Sequence, residues 1–139
     1  MTYGELKEQV RDLGFEDNSS MMEYQTVVKN ALNRSIQYIY DDIVWQLKAY
    51  YKKILSTDLE DWEPERPALI TDDTPDDFVI NLPDNLLVLI PLLTGHFVWL
   101  DDDVQKSVMY WNDYDEMRRG ILAACLADSK AVITGGIGW

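Results

Sequence analysis

The stretch of residues 86–100 constrains the fold of this chain more than any other part of the sequence. It is almost entirely apolar, so a helix formed from it has nearly no polar face. It is too short to cross a bilayer, which needs about 20 apolar residues, and it contains Pro91, Gly95 and His96. We therefore predict a helix buried on all sides, by the core or by neighbouring subunits, with a kink or a fresh start at Pro91.

A short N-terminal helix is predicted from residue 3 onward. Thr2 and Glu5 have the spacing of a capping box, in which each side chain accepts a hydrogen bond from the backbone of the other. Apolar residues then recur at three- and four-residue steps up to Leu13, and Gly14 is a natural C-terminal stop. Because its apolar face is narrow, this helix must dock on the rest of the chain.

Two longer helices are predicted on either side of the apolar stretch. The earlier one begins after Ser20, which has capping-box spacing with Glu23, and its broad apolar stripe covers residues 24–39. The later one begins after the aspartates 101–103, which supply an N-cap and favourable charge, and it extends to about Ala127.

Short strands are predicted in the middle of the chain. Residues 44–55 fit both a helix and a strand by apolar spacing, and their aromatic content favours a strand. Residues 78–82 alternate and end at Pro83, which indicates another short strand, and residues 68–71 offer a third. The expected fold class is mainly α: a small bundle of about four helices with a minor β hairpin or short strands.

Residues 56–77 form the most acidic part of the sequence. They contain nine acids and one base, which gives −8 of the total net charge of −13, and three prolines interrupt them. We predict a long, exposed and mobile acidic loop. The negative charge argues against clamping nucleic-acid phosphates or anionic membranes. It does not exclude a protein past which DNA slides without sticking.

Residues that could carry chemistry have simpler structural explanations. His96 lies within the apolar stretch and is expected to be a core histidine, and Cys125 lies among small apolar residues without a base at helical spacing. The triplet 101–103 lacks the pattern of a calcium loop, and the pairs 72–73 and 76–77 are expected to be solvated. One cysteine and one histidine exclude an internal disulfide and a multi-histidine metal site. We therefore predict no catalytic residue, no metal site and no cofactor.

The C-terminal segment, residues 131–139, differs from the single domain predicted for residues 1–130. It is apolar, rich in glycine and not expected to be helical. Because an exposed apolar segment usually has a partner, we predict that it binds another protein or a neighbouring subunit. The candidate contact residues are Val132, Ile133, Ile137 and Trp139.

Three stretches resemble a known pattern. They are residues 3–14 (YGELKEQVRDLG), residues 30–34 (NALNR), and residues 82–87 (LPDNLL) continuing to residues 99–103 (WLDDD). Their arrangement over roughly residues 3–122 is similar to the head–tail connector, or adaptor, proteins of tailed bacteriophages. None of these motifs is a catalytic signature.

The resemblance implies a small helical bundle with a minor β element and no enzymatic activity. Members of this family form a ring below the portal vertex, a dodecamer, and extend the DNA channel toward the tail. It implies three partners: the portal protein, neighbouring copies and a tail-side stopper or tail completion protein. It also implies a place at the head–tail interface of the virion after assembly in the host cytoplasm, with no membrane contact. DNA passes without specific binding, and the acidic residues expected to face the channel are Glu60, Asp61, Asp72, Asp73, Asp76 and Asp77.

In relatives, C-terminal segments embrace the lower rim of the portal, and residues 131–139 would fill that place here.

Other functions stay open at this point. The first alternative is a tail-completion or tail-terminator ring of the same particle. The second is an unrelated small acidic cytoplasmic regulator that binds through its acidic loop. A Cys/His hydrolase is the least favoured.

Overall fold

The computed structural model describes residues 1–12, 21–55 and 64–134, with side chains placed for residues 1–10, 26–51 and 64–127. This part of the chain is mainly helical, which confirms the predicted class. Five α-helices are present in it, together with a π-helical turn and a short 3₁₀ turn. Their bounds are α1 Tyr3–Asp12, α2 Met21–Ile39, the π turn Tyr40–Val44, α3 Lys48–Leu55, the 3₁₀ turn Asp84–Leu86, α4 Leu89–Trp99 and α5 Val104–Thr134.

Helix α4 lies at the centre, where it contacts α1, α2 and α5. Its side chains are buried on several sides, as the apolar stretch predicts: Leu89, Ile90 and Leu93 are completely inaccessible. The fresh start expected at Pro91 falls two residues earlier. Pro91 therefore lies in the first turn of α4, where no intrahelical partner awaits its missing N–H. Among the described residues, no helix has both the length and the apolarity needed to cross a membrane.

The predicted starts of α1 and α5 agree with the structure. The backbone N–H of Thr2 donates to Glu5 Oε2 and that of Glu5 donates to Thr2 Oγ1, both at 3.2 Å, so the capping box forms. Helix α5 is capped by Asp103, whose Oδ1 accepts from the N–H of Lys106 at 3.1 Å. The predicted stop at Gly14 and the cap at Ser20 lie outside the described residues.

The strand predicted over residues 44–55 is wrong. Most of that segment forms helix α3, and the backbone is already helical before it, since Leu47 N–H donates to Ile43 at 2.8 Å and Tyr51 N–H donates to Leu47 at 3.0 Å. Ile43 and Tyr51 are buried and Trp45 is exposed. The apolar residues at four-residue spacing therefore face the core. The two-residue alternation does not correspond to a strand, because the described part of the chain contains no sheet for it to join.

The hairpin is absent from the described residues. They contain one isolated antiparallel bridge, which pairs Val79 with Thr2. The alternation over residues 78–82 does set burial, because Ile80 and Leu82 are buried while Val79 is exposed. Residues 68–71 are irregular. No strand forms in this region because its partner is the two-residue N-terminal segment before α1, which is too short for a ladder.

Helix α5 is longer than predicted, since it continues past Ala127 to Thr134. The expectation of a non-helical tail is therefore wrong for residues 131–134. Residues 121–134 contain no glycine or proline, so no helix-breaking residue ends α5 before Gly135. Residues 135–139 lie outside the described residues.

Candidate interaction surface

Helix α5 is about 46 Å long, and over residues 104–127 one stripe of its surface is buried against the bundle. The stripe follows three- and four-residue steps through Ser107, Tyr114 and Cys125, which are all buried. The rest of α5 exposes apolar side chains. Those with more than two fifths of their surface accessible are Val104, Val108, Met109, Met117 and Leu126. Single exposed apolar residues are normal on proteins, and five on one helix make α5 the candidate interaction surface of the described residues.

Helices α4 and α5 run antiparallel, which follows from their side-chain contacts. His96 meets Ser107 at the corner between the helices, Gly95 lies against Tyr110, and Leu92 borders the same groove as Met117 and Ile121. A cation–π contact also closes the corner. The residues WLDDD of the sequence pattern thus form the turn that sets this pair of helices.

A groove of about 630 Å³ lies along α5 on its α4 side. Its lining is mostly apolar, and the polar residues in it are both acidic. At Gly120 a Cβ atom would meet nothing within 4 Å, so the groove is open above this residue. The residues that line the groove are Leu92, Asp113, Glu116, Met117, Gly120, Ile121 and Ala124.

The other side of α5 carries a cluster of aromatic residues shared with α2 and α4. We call it the aromatic ridge and define it as Arg34, Tyr38, Phe97 and Trp111. The Arg34 guanidinium lies 4.2 Å from the centre of the Phe97 ring, and the Tyr38 and Trp111 ring centres are 6.4 Å apart. His96 connects the two pairs, with ring centres 5.1 Å from both Phe97 and Trp111.

The ridge and the groove lie on opposite sides of α5. At 100° per residue, Trp111, the ridge residue on α5, points about 150° away from the mean direction of Met117 and Gly120. Arg34 is exposed and Tyr38 is 40% exposed, so the outer edge of the ridge is accessible. Aromatic residues and arginine are the types that contribute most to protein–protein contacts.

His96 and Ser107 form a structural contact that leaves no activated serine. Ser107 Oγ donates to the His96 carbonyl at 2.8 Å, and His96 Nδ1 lies 2.9 Å from Ser107 Oγ and 3.1 Å from the Ser107 carbonyl. A carbonyl only accepts, so we assign the proton to Nδ1. The hydroxyl proton and Nδ1 are both used in tying α4 to α5.

Cys125 is buried far from His96. Its sulfur accepts from Asn85 Nδ2 at 3.6 Å and lies 4.0 Å from the Tyr51 hydroxyl. Burial raises the pKa of Tyr51, so this neighbour stays protonated. Cys125 is 18 residues from Ser107, about 27 Å along α5, and His96 contacts Ser107. The cysteine and the histidine therefore do not form a catalytic pair.

The described half of the acidic loop is fastened to α1 and α2. Asn33 on α2 holds both backbone groups of Ile70: its Nδ2 donates to the carbonyl at 2.9 Å, and its Oδ1 accepts from the N–H at 2.7 Å. Ile70 is buried as a result. Sequence composition indicated exposure and mobility, and it missed this attachment, since an asparagine on a helix gives no signal of a distant partner.

The predicted acidic residues differ in their surroundings. Asp72 pairs with Lys29 at 2.8 Å, and Asp76 pairs with Lys7 at 2.6 Å. Asp73 and Asp77 are exposed. Glu60 and Asp61 lie outside the described residues. Among the described histidine, cysteine, aspartate and glutamate side chains, none form a group that could hold a metal ion.

A clamp between the π turn and α5 was not predicted from the sequence. The Arg118 Nε donates to Asp42 Oδ2 at 2.5 Å, its Nη2 donates to Oδ1 at 3.1 Å, and the Tyr114 hydroxyl donates to Oδ2 at 3.2 Å. The hydrogen bond with Asp42 raises the pKa of Arg118. Burial, followed by the nearby Asp42 carboxylate, raises the pKa of Tyr114. The four-residue spacing of Tyr114 and Arg118, which places both on one face of a helix, was the sequence signal that could have indicated a shared partner.

Similarity to known proteins adds nothing to this picture. No family model, characterised protein or solved structure matches this chain. Its function is therefore inferred from the surfaces and charges of the chain itself.

The predicted tail residues are divided by the end of α5. Val132 and Ile133 belong to the last turn of the helix. Ile137 and Trp139 lie outside the described residues. The contact role of these four residues stays a prediction. The groove and the ridge combine residues from different helices and had no local signal in the sequence.

Proposed function

We propose that this chain is a head–tail connector subunit of a tailed bacteriophage, which forms a ring under the portal and extends the DNA channel toward the tail. The observation that carries the proposal is that α5 has apolar surface on two opposite sides, the groove with Met117 and the ridge side with Val108. A subunit with two different exposed apolar surfaces suits a ring, in which one surface of each copy contacts the other surface of the next copy.

The charge of the chain supports the same function. A net charge of −13 repels DNA phosphates, so DNA is able to pass along the ring without being held. Asp73 and Asp77 keep exposed carboxylates for such a face, while Asp72 and Asp76 share theirs with lysines.

The position of the resembling residues also supports it. Residues 82–87 form the turn that leads into α4, and residues 99–103 form the corner between α4 and α5. These two motifs therefore fix the helix pair that carries both apolar sides.

The direct test of function uses the phage or prophage genome that encodes the chain. Removing its gene should give DNA-filled heads that leak DNA or fail to join tails. The wild-type chain should restore joining, and so should the Cys125→Ala and His96→Gln variants if they fold, because neither side chain has a catalytic role in a connector. Normal virions without the chain would contradict the proposal.

A tail-completion or tail-terminator ring is distinguished by what the chain purifies with. A connector should purify with the portal protein, and a tail-completion or terminator protein with the tail tube. A stable monomer that binds neither would favour the small acidic regulator.

A further inference from the structure

We infer that the groove between α4 and α5 receives the aromatic ridge of the next copy of the same chain. This inference rests on the proposed function, since it names the contact between neighbours in the ring. It makes one side of α5 a receptor and the other side its ligand, with Gly120 at the point of closest approach.

Gly120 points to an occupant from outside the chain. Glycine is a poorer helix former than alanine, and Gly120 lies inside α5, fourteen residues before its end. Among the described residues, no atom outside the local helix backbone comes within 4 Å of the place of a Cβ atom, so their packing does not require a glycine. A glycine here leaves room for a neighbouring molecule to lie close against the helix.

Charge complementarity points to a second copy as the occupant. The polar residues of the groove are Asp113 and Glu116, which carry negative charge into an already acidic chain. The ridge carries the exposed Arg34, whereas the nearby Arg119 already pairs with Asp115. The ridge thus offers a cation that the groove lacks, and aromatic side chains to fill an apolar site.

The geometry makes this contact repeat from copy to copy. Because ridge and groove lie on opposite sides of α5, one contact leaves a free groove on one copy and a free ridge on the other. Such a contact builds a ring or an open chain of subunits, whereas a two-fold dimer needs a surface that meets itself.

Residues 135–139 are the competing occupant of the groove. They lie outside the described residues, and the far end of the groove at Ala124 is about 15 Å back along α5 from Thr134. The experiment therefore includes a chain that ends at Thr134.

The test uses two variants that each block one side. Gly120→Phe fills the groove and leaves the ridge, and Arg34→Glu reverses the charge of the ridge and leaves the groove. Ala49→Phe adds the same bulk at an exposed site on α3 and is the matched control. Sedimentation velocity measures association from about 10 μM to about 1 mM, where weak protein contacts become populated. Circular dichroism and thermal unfolding confirm that each variant is folded.

The wild type and Ala49→Phe should associate with rising concentration, and each blocked variant should associate at least about tenfold more weakly. An equal mixture of the two blocked variants should form heterodimers and nothing larger, because one intact ridge meets one intact groove. Tyr38→Ala should repeat the Arg34→Glu result without a charge change.

Three results would overturn the inference. The first is a wild type that stays monomeric throughout, and the second is a pair of blocked variants that associate as the wild type does. The third is loss of association in a chain ending at Thr134 while Arg34→Glu still associates, which would make residues 135–139 the occupant. Portal binding is scored separately. If the wild type binds portals but its copies do not associate through the groove and the ridge, the proposed function stands and this inference fails. If its copies associate through the groove and the ridge but do not bind portals, the proposed function fails.

Discussion

Two glycines on facing helices have opposite surroundings. A Cβ atom at Gly95 would lie 2.8 Å from Tyr110 Cγ, whereas one at Gly120 would meet nothing. Gly95→Ala should therefore lower the free energy of unfolding by about 1–3 kcal/mol, because the Tyr110 aromatic ring must move. Gly120→Ala should raise it by up to about 1 kcal/mol, because alanine favours the helix. Urea unfolding at low micromolar concentration measures both, and shifts of the same sign would contradict this reading of the two sites.

Neighbouring arginines on α5 also provide a matched pair. Arg118 makes two hydrogen bonds to the partly buried Asp42, and Arg119 pairs with Asp115 while mostly exposed. Arg118→Ala should cost about 1–3 kcal/mol of unfolding free energy, since it leaves a partly buried carboxylate without its cation. Arg119→Ala should change it by less than about 0.5 kcal/mol. Equal effects in urea unfolding would mean that the clamp contributes nothing beyond a surface pair.

The tyrosine of the same clamp predicts alkaline sensitivity. Tyr114 has its pKa raised above the ordinary value of 10.0, first by burial and then by Asp42. The folded chain therefore holds this proton more tightly than the unfolded chain. Its contribution to stability is complete below about pH 10 and is lost as pH rises toward the raised pKa. In Tyr114→Phe, the fall of unfolding free energy between about pH 9 and pH 11 should be smaller than in the wild type. An unchanged fall of the unfolding free energy in Tyr114→Phe would mean that other titrating groups cause the alkaline sensitivity.

At the level of elements, apolar spacing predicted what depends on a single segment. The starts of α1 and α5 follow from local caps, and the burial of α4 follows from its all-round apolarity. Spacing failed for α3 because two periods were present and only the tertiary fold selects one. It also failed for residues 78–82, whose burial alternates as expected while the N-terminal segment that pairs with them is too short to make a strand.

The attachment of the acidic segment is an element-level contact that exchange measurements can test. Asn33→Ala removes both hydrogen bonds to the Ile70 backbone. The amide of Ile70 should then exchange with solvent at least about tenfold faster, because local opening needs less free energy. Asn30→Ala, an exposed asparagine on the same helix, is the control and should leave this rate unchanged. Fast exchange of the Ile70 amide already in the wild type would contradict this attachment and would support the mobile loop expected from composition.

For the whole molecule, the sequence predicted an acidic, incomplete subunit and located the incompleteness in the apolar stretch 86–100 and in the tail. The fold adds the sides of α5, where Leu92 and Met117 line one groove and the rings of Tyr38 and Trp111 meet edge to face. These pairs are 25 and 73 residues apart in sequence. No local pattern brings such residues together, which is why the groove and the ridge emerge only from the packing of α2 and α4 on α5.

Truncation separates the fold from attachment at this scale. A chain ending at Thr134 keeps all five helices and should unfold at nearly the wild-type temperature, because the core lies upstream. The same chain should attach to DNA-filled capsids more weakly than the wild type, with Trp139→Ala between the two, since Trp139 is the largest apolar residue removed. Attachment of the truncated chain with wild-type affinity would exclude residues 135–139 from partner binding.

Electron microscopy of purified portal rings, taken from the genome that encodes this chain and mixed with the purified protein, tests the connector function most directly. The predicted result is a second ring of helical density below the portal, with α5 of each copy between two neighbours and the acidic segments lining the channel. Portal rings that stay bare at every protein concentration, while the protein itself remains folded, would contradict it.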